Sequence, residues 1–99
     1  MAWTIELLPR AQRELEYAQA WYEARRAGLG KRFLDEMDAM IARIAAGPQR
    51  FPRWLDDALY QRAVLSRFPY VVMFIADQRT RTVTVVAVAH TSRKPGYWK

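Results

Sequence analysis

The sequence predicts a two-layer α+β domain in the order β-α-α-β-β-β, with a helical hairpin packed on one face of a mostly antiparallel four-stranded sheet. Three observations predict it. Apolar residues in the first half recur at three- and four-residue spacing. In the second half they fall in short runs rich in Val, Tyr, Phe, Thr and Ile. Gly28-Leu29-Gly30 divides the helical half in two. With 99 residues, no repeat and no linker, residues 1–99 read as a single domain.

Residues 3–8 are a short apolar-rich run closed by Pro9, and they are expected to form an edge strand. Proline suits the first position of a helix, where its missing N–H costs nothing. The first helix is expected over residues 9–26, with Leu8, Ala11, Leu15, Ala18 and Tyr22 as its apolar stripe. After the glycines a second helix is expected over residues 31–46, with a stripe of Phe33, Met37, Met40, Ile41 and Ile44, stopped by Gly47-Pro48. The connection is short, so the helices should pack antiparallel. Phe33, Met37, Ile41 and Ile44 are expected to face the sheet together with Leu15, Ala18 and Tyr22.

Residues 48–57 read as a loop, and strands are expected over 59–67, 70–76 and 81–90. The polar residues 77–80 make the last hairpin turn, and Phe68-Pro69 marks the other boundary. The strand at 70–76 is apolar at both parities, the pattern of a central strand covered on both faces. Two helices cover one face. The other is expected to stay exposed or to await a partner.

Charge is distributed unevenly. The chain carries 16 Lys+Arg and 10 Asp+Glu, a net of +6. Residues 1–47 hold seven of each sign, so the whole excess lies in residues 48–99. Such segregation points to an anionic partner, either nucleic acid or an acidic protein segment. Other classes are disfavoured. There is no cysteine, and His90 is the only histidine, so neither a thiolate nor a histidine metal site is expected. No apolar run approaches a membrane span, and residues 1–6 do not resemble a signal peptide. A cytoplasmic protein without metal or cofactor is expected. Asp35, Glu36 and Asp38 stand beside Lys31 and Arg32 and read as solvated helix charge. No glycine-rich phosphate loop or nucleophile motif occurs.

The ordered set of residues resembles the RelE/ParE toxin superfamily over nearly the whole chain. It comprises Pro9 before a Glu-rich helix, Gly28-Leu29-Gly30 with Arg32-Phe33, Ile44 leading to Pro48, and Phe51-Pro52. Arg62-Ala63-Val64-Leu65, Phe68-Pro69-Tyr70-Val71-Val72, and Ala87-Val88-Ala89-His90 followed by Thr91-Ser92-Arg93-Lys94-Pro95 complete it. The resemblance implies the strand order β1-β4-β3-β2. It also implies a type II toxin held inactive by a cognate antitoxin with an acidic amphipathic segment, in a complex that binds operator DNA through the antitoxin. Two activities occur in the superfamily. ParE-like members poison DNA gyrase without chemistry of their own, and RelE-like members cleave mRNA on the ribosome.

The ParE-like activity is the favoured expectation. In the nuclease alternative, Arg62, His90 and Tyr97 take the catalytic parts of phosphate stabilisation and proton transfer. The lysines that RelE places before that strand are absent, and Arg50 and Arg53 stand there instead. Arg67, Arg93, Lys94 and Trp54 are the target-binding candidates. Each candidate also has a structural reading: His90 as a cap on the sheet, Arg62 as an ion pair with Asp56 or Asp57, and Tyr97-Trp98 as packing. Trp54 either packs its loop down or stacks on a ligand. Trp21 and Tyr22 read as core or inter-helix contacts rather than base-stacking platforms. A third class, a non-toxic basic protein- or nucleic-acid-binding module, accounts for the charge equally.

Overall fold

The computed structural model describes residues 2–99. Strand β1 (Thr4–Leu7) is followed by helices α1 (Pro9–Arg25) and α2 (Leu29–Ala46), a 3-10 turn (Pro48–Arg50), and strands β2 (Gln61–Val64), β3 (Tyr70–Asp77) and β4 (Thr82–His90). The sheet order is β1-β4-β3-β2, as the resemblance implied. β1 lies at one edge, parallel to β4, and the other two pairings are antiparallel.

The first helix begins at Pro9 and buries Ala11 and Ala18, with Leu15 and Tyr22 half-buried. Leu8, assigned to the same stripe from sequence, is instead 42 % exposed, because it precedes the first turn. The second helix starts at Leu29 rather than residue 31. Gly28 makes the earlier start possible with a φ of 89°, a left-handed conformation that glycine adopts without cost. The Glu23 carboxylate then accepts both the Gly28 and Gly30 N–H groups at 2.9 Å, satisfying donors the new helix leaves free. Gly30 is needed for a second reason. A Cβ there would lie 2.8 Å from the Gln19 carbonyl oxygen, so the two helices can approach closely only over a glycine.

Strand β2 is shorter than the expected 59–67. Leu59 and Tyr60 are drawn into a turn, with the Leu59 N–H on Asp57 Oδ1 at 3.1 Å and the Trp54 N–H on the Tyr60 carbonyl at 2.8 Å. Beyond β2, Glu36 accepts the Ser66 N–H, the Ser66 hydroxyl and the Arg67 N–H, tying the β2–β3 connection to α2. Glu36 is therefore a structural tether, not solvated helix charge. The buried Gln61 side chain donates to the Pro48 and Phe51 carbonyls at 2.8 and 3.0 Å and pins the 48–57 loop.

The register of β3 and β4 places Met73 opposite Ala87 but Phe74 opposite Val85, so Val86 is an extra residue in β4. A bulge of this kind reverses the facing of every later side chain. Val83, Val85 and Val88 thus join the core beneath the helices, while Val86 and Ala87 both turn to the opposite face with Met73. That face is neither bare nor awaiting a partner over its whole width, contrary to expectation. The chain folds back after β4, and Trp54, Tyr60, Tyr97 and Trp98 pack against Met73, Val86 and Ala87. Apolar area buried under four aromatic rings drives this second layer.

The helix-side core centres on Phe33, fully buried among Tyr22, Phe68 and Tyr70, whose ring centroids lie 5.2–5.3 Å away. Met37 and Ile44 are buried beside it, and Ile41 packs at the margin. Phe33→Ala should cost about 3–5 kcal/mol in urea unfolding. Gly30→Ala should cost about 1–3 kcal/mol, because the obstructing atom is backbone. A Phe33→Ala protein that unfolds at the parent's urea midpoint would mean that α2 presents a different face to the sheet.

Candidate functional site

The bulge and the returning tail together create two clefts, one on each side of the C-terminal end of β4. The first, about 180 Å³, lies on the second face, with Val64, Val71, Met73 and Ala89 as floor and Trp54, Tyr97 and Trp98 as walls. Arg62, His90 and Arg93 stand at it, so the cleft brings together Arg62, His90 and Tyr97. The second, about 400 Å³, lies between α1 and the sheet and is lined by Arg10, Arg13, Glu14, Tyr17, Tyr70, Val88, His90 and Arg93.

Arg62 points to the second face because it pairs across from Met73, and alternate strand residues share a face. The ion pair with Asp56 or Asp57 considered from sequence does not form. Asp57 instead holds Lys99 at 3.4 Å and helps fasten the tail. His90 pairs across from Tyr70, and its ring lies 5.2 Å from the Tyr70 ring, on the side of the helices. His90 Nδ1 accepts from the Ser92 N–H at 3.0 Å and lies 2.8 Å from the Ser92 hydroxyl. The ring thereby caps the turn that leaves β4.

Tyr97 crosses the open edge of β4, where β1 has ended, and donates its hydroxyl proton to Glu14 Oε2. The other Glu14 oxygen accepts the Val88 N–H at 2.8 Å, a strand donor that no neighbouring strand reaches. One carboxylate thus joins α1, β4 and the tail. Burial, followed by the hydrogen bond to Glu14 and by its charge, raises the Tyr97 pKa well above the ordinary phenol value. The Arg93 guanidinium covers the Tyr97 ring at 3.9 Å.

Trp54 packs against Trp98 and Tyr60, at 5.2 and 6.2 Å between ring centroids. Trp98 Nε1 is buried without a hydrogen-bond partner. The target-binding candidates are not one patch. Trp54 and Arg93 line the second-face cleft, Lys94 is exposed in the following turn, and Arg67 lies apart beside Arg32 and Glu36 of α2. Of Trp21 and Tyr22, Tyr22 is an inter-layer contact, but Trp21 is 43 % exposed. Sequence reasoning also passed over Glu14. Its one available signal was position, since an acid between Ala11, Leu15 and Ala18 borders the buried stripe. Among the described residues no group of three or more His, Cys, Asp or Glu is placed to hold a metal, and no helix is long and apolar enough to cross a membrane.

Solved structures share this architecture. The toxin–antitoxin complex RelBE2 from Mycobacterium tuberculosis contains a chain that superposes with a TM-score of 0.66 at 15 % identity, over 91 % of this chain and 99 % of that one. A chain of the chromosomal ParDE toxin–antitoxin system from P. aeruginosa gives 0.73 at 10 % identity, over 90 % and 96 %. A search of curated protein sequences gives no match. The fold is thus one found in RelBE and ParDE toxin–antitoxin systems. Residues 5–95 match the sequence model of the ParE toxin of type II toxin–antitoxin systems, parDE, and the chain belongs to that family.

The Tyr97–Glu14 clasp makes stability depend on alkaline pH. Unfolding returns Tyr97 to a pKa of about 10, below its folded value. The folded state therefore holds this proton more tightly. The stabilisation is full below pH of about 10 and is lost as pH rises through the folded value. In urea titrations from neutral to strongly alkaline pH, Tyr97→Phe should lose stability less steeply than the parent. Parallel curves would show that the clasp does not form in solution.

Proposed function

We propose that this type II toxin is a ParE-like, non-enzymatic inhibitor that acts by occupying DNA gyrase and is neutralised by a cognate antitoxin. The observation that carries this reading is that the two proton carriers a nuclease would need are already engaged. Arg62, His90 and Tyr97 line one cleft, but His90 Nδ1 is held by Ser92 and the Tyr97 hydroxyl is committed to Glu14. General acid–base catalysis requires such groups to be free to exchange protons with one reacting centre. Occupying a protein target requires only surface, and Arg62, Arg93 and Lys94 supply it near the cleft mouth.

The antitoxin follows from the family and from the complexes in which its structural relatives occur. An acidic amphipathic segment complements a surface where only two ion pairs, Lys31–Asp35 and Lys99–Asp57, form among the described residues. The toxin–antitoxin complex would then reach operator DNA through the antitoxin. The RelE-like alternative, ribosome-dependent mRNA cleavage, would require Ser92 and Glu14 to release His90 and Tyr97.

The test is induced expression without antitoxin, with supercoiling by purified gyrase and mRNA integrity measured in parallel. His90→Gln should leave toxicity and supercoiling inhibition largely intact. Arg93→Ala with Lys94→Ala should weaken both, most at low salt and least at high salt, where the exposed charges are already screened. A nuclease would instead lose about 100-fold or more in rate on Arg62→Ala. A His90→Gln protein that folds, binds antitoxin and has lost both toxicity and mRNA cleavage would overturn the proposal.

A further inference from the structure

The cleft beside α1 does not end at Arg10 and Arg13. It continues along the helix into a second hollow of about 370 Å³ lined by Tyr17, Trp21, Tyr22, Pro69, Tyr70 and His90. Tyr17 and Tyr70 line both hollows, so the two form one groove, spanning roughly 16 Å of helix between residues 10 and 21. From this groove we infer a binding site for a segment of single-stranded nucleic acid, with phosphates at Arg10, Arg13 and Arg93 and bases against Tyr17 and Trp21.

The cationic end supports the phosphate assignment. Arg10, Arg13 and Arg93 approach from two elements, and none has a carboxylate partner among the described residues. The one acid between them, Glu14, has both oxygens engaged by Tyr97 and Val88. Guanidinium groups match phosphate oxygens in pairs, which suits them to a chain of diesters.

The aromatic end distinguishes a nucleic acid from an acidic peptide. Tyr17 is 71 % exposed and Trp21 is 43 % exposed, an arrangement that leaves apolar area in water unless something covers it. They stand four residues apart, and four helical rises are about 6 Å. Exposed rings beside a cationic groove are the platforms on which single-stranded bases stack. Arg25 lies over the Trp21 ring at 4.0 Å and adds a cation to that end. A run of acidic side chains alone would leave both rings uncovered.

The measurement is direct binding of fluorescently labelled short oligonucleotides, DNA and RNA of one sequence, to the purified full chain. It involves no toxicity assay, so its outcome is separate from that of the gyrase proposal. Binding should show a slope of log K against log salt near −2, as about three neutralised phosphates on a single strand require. Arg10→Ala and Arg13→Ala should each reduce that slope, whereas Arg79→Ala, which removes a charge in the distant β3–β4 turn, should not. Tyr17→Ala and Trp21→Ala should each weaken binding about ten-fold or more, with Tyr17→Phe restoring it. Both aromatics are surface residues, and unchanged melting of each variant verifies folding. Preference for one sugar assigns the natural strand as DNA or RNA. Two results overturn the inference: binding unaffected by loss of Tyr17 and Trp21, or equal competition by a polyglutamate peptide of the same charge. Either would leave the groove as a charge-only surface.

Discussion

Everything in this fold answers to the pairing of β3 with β4. Both strands are apolar on both faces and lie at the centre of the sheet, so each must be covered twice. The helical hairpin supplies one cover through Phe33, Met37 and Ile44. The other comes from nine residues after β4 that return across the sheet and set Tyr97 and Trp98 beside Trp54 and Tyr60. The Val86 bulge makes the double cover fit, because it turns the consecutive residues Val86 and Ala87 to the same layer and leaves Val85 and Val88 in the other.

A second consequence concerns charge. Five of the ten acidic side chains accept backbone N–H groups. Glu14 holds the Val88 N–H, Glu23 holds Gly28 and Gly30, Glu36 holds Ser66 and Arg67, and Asp57 and Asp77 close turns. Each of these bonds satisfies a donor at a helix start, a turn or a strand edge. The arginines receive little in return. Several instead lie over aromatic rings, as Arg25 does on Trp21 and Arg93 on Tyr97. These carboxylates are thus tied to the backbone of the fold, and the chain as a whole carries a net charge of +6.

The two sides of the β4 end are correspondingly different. On the second face an apolar cleft walled by indoles meets Arg62 and Arg93. On the helix side a longer groove combines unpaired arginines with exposed rings. Glu14 and Tyr97 form the wall between them, so the tail both completes the core and separates the two surfaces.

The order of elements, the two helical stripes, the central character of β3 and the concentration of positive charge were all legible in the sequence. Each depends on local periodicity or simple composition, which survive without knowledge of contacts. Strand ends were less legible, because Asp57 and Glu36 terminate pairing through side chains distant in sequence or in turns. Tertiary structure alone decided the rest. Arg62 and His90 face opposite sides of the sheet, and only the cleft formed at the end of β4 brings both to one rim. Neither the bulge at Val86 nor the 83-residue separation between Glu14 and Tyr97 leaves a periodic trace. Periodicity reports which face of an element is apolar. Which faces meet, and which polar groups are thereby captured, is settled only when the chain closes on itself.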